Sequence, residues 1–223
     1  MIEKILLSSK TSNNAFVFPL YLRTEERGLE NFCPNFRTFL DSRYEHHYAP
    51  EEILGYIYAV LHAPTYRARY AEFLRIDFPR VPFPEKSDDF ETLSDLGWAL
   101  VQAHLLRELP RRGLAAYHGK GDHTVEAVRY SPQEQAVHIN KMQFFRPVPA
   151  DVWEFHIGGY RVLDKYLKSR KGRTLSLDEI SHLGAVADSL AFTIEQMARI
   201  DAAYRAAFKA GDKSESALAS ERP

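Results

Sequence analysis

The residues of this chain best suited to chemistry are cations and amides gathered between Asn140 and Arg173, in the run NKMQFFRPVPADVWEFHIGGYRVLDKYLKSRKGR. From Gly158 onward Arg161, Lys165, Lys168, Arg170, Lys171 and Arg173 stand against Asp164, a surplus of about five positive charges. The whole chain carries a formal net charge of -1, so the surplus is local and directed.

Two readings apply to such a run. Cations at a helix C-terminus complement the helix dipole, each contributing about 0.3 to 1 kcal/mol, and one or two would suffice. A cluster this dense, beside Gly158 and Gly159 and downstream of several aromatics, has the composition of a surface that contacts phosphates. On that second reading Arg170, Lys171 and Arg173, with Lys168 beside them, hold phosphates. Asn140, Lys141, Gln143 and Arg146 then present polar groups to base edges from the end of a hairpin. An ordinary polar hairpin end explains those four residues equally well.

Other chemistry finds little support. His46 and His47 are adjacent and so point in different directions, and His118 and His123 span the loop HGKGDH, without the spacing of a helical metal pair. No metal site is expected. Gly119-Lys120-Gly121 suggests a phosphate loop, but no GxxxxGK[ST] frames it. There is no GxSxG elbow, and no carboxylate pair stands out as acid and base.

The elements that must position the cations follow from periodicity. Trp153, Phe155 and Ile157 alternate with Glu154 and His156, which predicts a half-buried strand broken by the glycine pair. Tyr160, Leu163 and Leu167 then predict a helix that runs into the basic segment. Upstream, Val125 to Tyr130 and Gln135 to Asn140 bracket Ser131-Pro132-Gln133-Glu134 as a hairpin. Downstream, Ser176 and Glu179 form a capping box that opens an amphipathic helix of about 30 residues, long enough to reach a neighbouring module.

The first half reads as strands at Ile2 to Leu7 and Ala15 to Leu22, then a charged loop over residues 23 to 35. A helix starts at Pro50, another follows Ala63-Pro64 with Tyr66, Tyr70, Phe73 and Leu74 as its apolar stripe, and a third runs from Ser87-Asp88-Asp89 to about Leu109. Between the last two, IDFPRVPFP is fixed in an extended path by its prolines and is expected to strap the core. Residues 110 to 123 read as a boundary or mobile loop.

The fold class expected is α+β: N-terminal strands and a central hairpin, packed with several helices and a long C-terminal helix. Residues 1 to 210 form one domain on this reading, with lobes over 1–110 and 111–210, and residues 211 to 223 a disordered tail. Cys33 is the only cysteine, so no internal disulfide forms, which suits a reducing cytoplasm. No apolar run reaches the roughly 20 residues a membrane span needs. An opening directly in an apolar strand suggests the continuation of something longer.

Three blocks carry a family resemblance: SNNAFVFPLYL (Ser12 to Leu22), EEILGYIYAVLHAPTYRARYAEFLRIDFPRVPFP (Glu51 to Pro84) and VWEFHIGGYRVLDKYLKSRKGRTLS (Val152 to Ser176). In that order they resemble the C-terminal specificity region of type ISP restriction-modification enzymes, single chains that join nuclease, ATP-driven translocase, adenine methyltransferase and target-recognition parts. The middle block also resembles the paired helices and proline-rich exit of many DNA-methyltransferase target-recognition domains. The sequence has neither the Asn-Pro-Pro-Tyr type motif of the family's methyltransferase nor the Walker lysine loop of its translocase. The resemblance therefore implies a non-catalytic module that reads duplex DNA for a methyltransferase and translocase in cis or in trans. S-adenosylmethionine, ATP and magnesium are implied only for the missing parts, and no cofactor for this chain. The alternative is a helical coupling module that contacts protein rather than bases.

Overall fold

Two helices can cross backbone against backbone only where side chains vanish, and in this protein that happens at Gly55 and Gly97. In the computed structural model, which describes residues 19–23 and 28–208, Gly55 lies in helix α2 (Pro50–His62) and Gly97 in α5 (Ser87–His104). A Cβ on Gly97 would sit 1.9 Å from the Gly55 carbonyl oxygen and 2.8 Å from the Ala59 nitrogen. The remaining elements, in chain order, are β1 (Tyr21–Arg23), β2 (Gly28–Glu30), α1 (Pro34–Tyr44), α3 (Pro64–Arg69), α4 (Phe73–Ile76), β3 (Ala116–His118), β4 (Arg129–Ser131), β5 (Ala136–His138), β6 (Phe144–Arg146), α6 (Ala150–Trp153), β7 (His156–Ile157), β8 (Tyr160–Arg161), α7 (Val162–Lys168) and α8 (Leu177–Ala207). The fold is α+β.

Contacts divide the chain into Met1–Pro50 and Glu51–Pro223. In the first unit β1 and β2 pair antiparallel and α1 follows. Arg37, 8% exposed, ties them together: its guanidinium meets both Glu30 carboxylate oxygens, at 2.7 and 2.5 Å, and donates to the Tyr48 carbonyl at 2.6 Å. The predicted loop over 23–35 thus contains strand β2 and the start of α1, a helix that the sequence reading does not predict. The predicted strand at Ile2 to Leu7 lies outside the described residues, as do 15–18 and the tail 211–223, while Tyr21 and Leu22, the end of the second predicted strand, fall in β1.

The second unit has two cores along one helix. In the first, Ile53, Tyr56, Val60, Phe90, Leu93, Leu100 and Ile200 are buried between α2, α5 and α8, each side chain contributing about 1.5–3 kcal/mol. The Tyr56 ring stacks on Phe83 and Phe90, with centroids 5.1 and 4.5 Å away. The proline-rich segment is extended as expected, pinned where the Tyr56 hydroxyl donates to Pro82 O and the Tyr66 hydroxyl to Arg80 O. Phe73, by contrast, is 64% exposed, because the helix after Pro64 breaks before reaching it. The third predicted helix ends at His104, leaving Leu105 outside and exposed.

The second core lies under a four-stranded antiparallel sheet of order β3-β6-β5-β4. Val137, Ile139, Phe145, Trp153, Leu163, Leu167 and Leu183 fill it. The predicted hairpin is present as β4 and β5. Residues 110 to 123 are no mobile boundary: β3 pairs with β6, and buried Asp188 of α8 accepts the Arg112 and Leu114 amides at 3.1 and 3.0 Å. Trp153 closes a short helix instead of opening a strand, because its ring is buried and stacked on Tyr130 at 5.0 Å. Tyr160 belongs to β8 rather than to the helical stripe, and α7 buries only Leu163 and Leu167.

Helix α8 is 31 residues long and packs against α3, α5, α6 and α7, so its length is used within this chain. Its capping box forms as predicted: Glu179 N–H donates to Ser176 Oγ at 3.1 Å, and Ser176 N–H to Glu179 Oε2 at 3.1 Å. The Ser176 amide, then Arg170 and Arg173, hold the Glu179 carboxyl down to about 2.

Two outcomes follow from this packing. Gly97→Ala forces α2 and α5 apart at backbone atoms, an overpacking that costs about 1–3 kcal/mol; thermal melts should show a midpoint lower by several degrees, and an unchanged midpoint would contradict the close crossing. Because the Glu179 pKa falls on folding, its stabilisation is complete above the ordinary glutamate value and is lost as pH drops toward 2. The melting difference between wild type and Glu179→Gln should therefore shrink across that acid window, and a constant difference would rule the linkage out.

Candidate nucleic-acid interface

Backbone bonds join the loop after β3 to the basic run. At the end of the sheet where β3 leaves and β5 turns into β6, residues 123–125 lie alongside 172–175. Val125 N–H donates to Arg173 O at 3.0 Å, Gly172 N–H to Val125 O at 2.8 Å, and Leu175 N–H to His123 O at 3.0 Å. Thr124 and Thr174 form the bridge between them, their hydroxyls 3.2 Å apart. Segments some 50 positions apart in sequence are thereby held as one surface.

Asn140 and Gln143 build this junction. The Asn140 Oδ1 accepts the Met142 and Gln143 amides at 2.9 and 2.7 Å, while its Nδ2 donates to Thr124 O at 2.9 Å and to Gln143 Oε1 at 2.8 Å. Gln143 is 1% exposed, and its Oε1 also accepts the His123 amide at 3.0 Å. With these bonds made, Asn140 has no donor or acceptor left over, and Gln143 is out of reach. Contrary to the sequence expectation, neither residue presents its amide to base edges. Lys141, at the tip of the same loop, is exposed beside Met142. Arg146 is exposed at the opposite end of β6, its guanidinium 5.5 Å from the Phe144 ring centroid, and does not join the cluster.

The cations are less free than the sequence count implies. Arg170 donates to Glu179 Oε1 and to Tyr166 O, both at 2.8 Å, and lies 3.5 Å from the Tyr166 ring centroid. Its role is to lock α7 to the start of α8, so it is not one of the open phosphate contacts. Arg173 shares Glu179 at 2.9 Å but keeps more than half its side chain in solvent. Lys168 pairs with Asp164 at 2.8 Å on an exposed helix face, and Arg161 lies 2.7 Å from Glu154 without hydrogen-bond alignment. Lys165 and Lys171 are exposed and have no acidic partner among the described residues.

The residue that sequence reasoning set aside is Lys120. Gly119 and Gly121 flank it, and added Cβ atoms would meet Met142 O at 2.0 Å and Gln143 Oε1 at 2.7 Å. The glycines therefore let the two loops touch, which places exposed Lys120 beside the junction. Asp122 carries the opposing charge: the Thr124 amide and hydroxyl bind it at 3.1 and 2.8 Å and hold its carboxyl below the usual range. The arrangement is a cationic strip from Arg161 along α7 to Arg173, meeting a loop platform that carries Lys120 and Lys141.

Three solved structures share this fold. A DrdV–DNA complex matches at a TM-score of 0.63 and 20% identity over 82% of this chain and 21% of that one. A nuclease-deletion mutant of the Type ISP restriction-modification enzyme LlaGI with a DNA substrate mimic matches at 0.53 and 17%, over 70% of this chain and 14% of that one. The ATP-dependent Type ISP restriction-modification enzyme LlaBIII bound to DNA matches at 0.57 and 13%, over 79% and 12%. This chain thus spans about a fifth or less of each of these proteins. No curated protein matches it. The model of the Type ISP C-terminal specificity domain matches residues 1–198, and the chain belongs to that family.

Proposed function

We propose that this specificity domain binds duplex DNA and confers sequence preference on methyltransferase and nuclease parts located elsewhere in a longer protein or on a partner. The observation that carries the reading is the junction of 123–125 with 172–175, which sets the cations of α7 and its exit beside the loops bearing Lys120 and Lys141. Lys171, Lys165 and Arg173 hold phosphates on this reading, and Lys141 faces the groove. The chain performs no chemistry and needs no cofactor; S-adenosylmethionine, ATP and magnesium serve the other parts. The matched structures support the reading, since two of those proteins are bound to DNA and the third to a DNA substrate mimic.

A second reading, protein coupling, draws on a different region. Phe73, Ile76 and Phe78 are 64%, 80% and 59% exposed within six positions, a concentration of apolar surface suited to a protein contact. The two readings use separate surfaces and are compatible.

Mobility-shift titrations against a random-sequence duplex over a salt series test the first. Binding should weaken steeply with salt, and Lys171→Ala should lower affinity for all sequences alike and reduce the slope by about one counterion. No affinity at low salt, or no salt slope, would sink the reading. Glu179→Gln tests the electrostatics from the other side: glutamine can still complete the capping box while releasing Arg170 and Arg173 from a negative charge. Non-specific affinity should rise; a fall in a variant that still folds would mean the carboxylate positions Arg173 for DNA.

A further inference from the structure

The β7–β8 hairpin holds an apolar cross-strand pair largely in solvent. Ile157 and Tyr160 are directly opposed across the two strands and are 66% and 63% exposed. The turn between them is Gly158-Gly159, with positive φ at Gly158 (60°) but not at Gly159, the requirement of a tight II′ hairpin. A Cβ added at either glycine would meet no atom of the described residues within 4 Å, so the turn itself is uncovered by them. Single exposed apolar residues are ordinary; a matched pair at the end of a projecting ribbon is not explained by folding.

Behind the tip the surface changes character. An open groove runs from His156 and Tyr160 past Arg161, Lys165 and Lys168 to Ser169, the residue before the basic segment, with Asp164 as its one acid, paired to Lys168 at 2.8 Å. The Lys165 ammonium lies 4.8 Å from the Tyr160 ring centroid, and no acid partners it among the described residues. An apolar tip backed by cations matches duplex DNA opened at one step: side chains fill the gap between separated base pairs, and ammonium and guanidinium groups meet the phosphates on either side.

We infer that the β7–β8 hairpin is a wedge, with Ile157 and Tyr160 entering the base stack while Lys165 and Lys168 hold the flanking backbone. The inference rests on the DNA-binding reading above and adds to it a distortion of the DNA. Pyrimidine–purine steps, which unstack most readily, are the preferred point of entry. They also contain the thymines on which the test depends.

The full chain is mixed with a randomised duplex library, bound DNA is treated with permanganate, and oxidised thymines are mapped by sequencing. Wild-type protein should produce hyper-reactive thymines concentrated at TA and TG steps in the bound pool. Ile157→Ala and Tyr160→Ala, singly and together, should bind with the same salt slope but lose the hyper-reactivity. Thermal melts should show both variants folded, with midpoints lowered only by the small worth of one exposed cross-strand pair and one exposed cation–π contact. If wild type binds and every thymine stays protected, or if the double variant retains the reactive thymines, the wedge is refuted while the DNA reading stands. If wild type binds no duplex at low salt, both fall.

Discussion

The proposed phosphate-contacting surface depends on the backbone pairing of 123–125 with 172–175. Without it the basic segment would be the frayed exit of a seven-residue helix, and the 140–143 loop an isolated turn. The pairing requires His123 to take a left-handed backbone, φ 64°, which is uncommon for a residue with a Cβ. Gln143 makes that conformation tenable by accepting the His123 amide, and Asn140 in turn fixes Gln143. Two amides that look like readers of bases are instead the internal scaffold of the surface.

Ion pairing along the strip has a related logic. Exposed pairs contribute about 0–1 kcal/mol, so a phosphate competes readily with Asp164 for Lys168 and with Glu179 for Arg173. Arg170 differs because its planar group is also stacked on Tyr166 and bonded to a carbonyl, and removing it would disturb the α7–α8 corner. The acids keep the cations ordered and lower the surplus charge without abolishing it. That balance suits a domain whose total charge is near neutral and whose attraction to a polyanion must be local.

Where a local rule had one strong cause, the sequence could be read. Pro50 started α2, the Ser176–Glu179 box started α8, and the prolines of 79–84 kept their segment out of helix and sheet. Helix α1 opens on a proline too, Pro34, but nothing reinforces it: its N-cap is Cys33, no side chain caps it, and its first turn has no acid. Strands β3 and β6 have three residues each, too few for alternation to show. Trp153 misled because burial, not period, places it. The site was legible as a region and not as a set of contacts: Glu154 and Glu179 lie just outside the charged window that was counted, and a buried Gln143 cannot be told from an exposed one by its letter.

Helix α8 carries a consequence for how such domains diversify. Its first half supplies Leu183, Ala187 and Leu190 to the core under the sheet, and its second half supplies Ile200 and Tyr204 to the helical core. A new reading surface cannot therefore be grafted by exchanging residues 111–176 alone, because the transplanted sheet would meet a foreign set of knobs along a helix it did not evolve with. The natural unit of exchange includes the sheet, α7 and the first half of α8. A crossover placed just after Ile194, the last α8 residue packed against the core under the sheet, keeps that packing together.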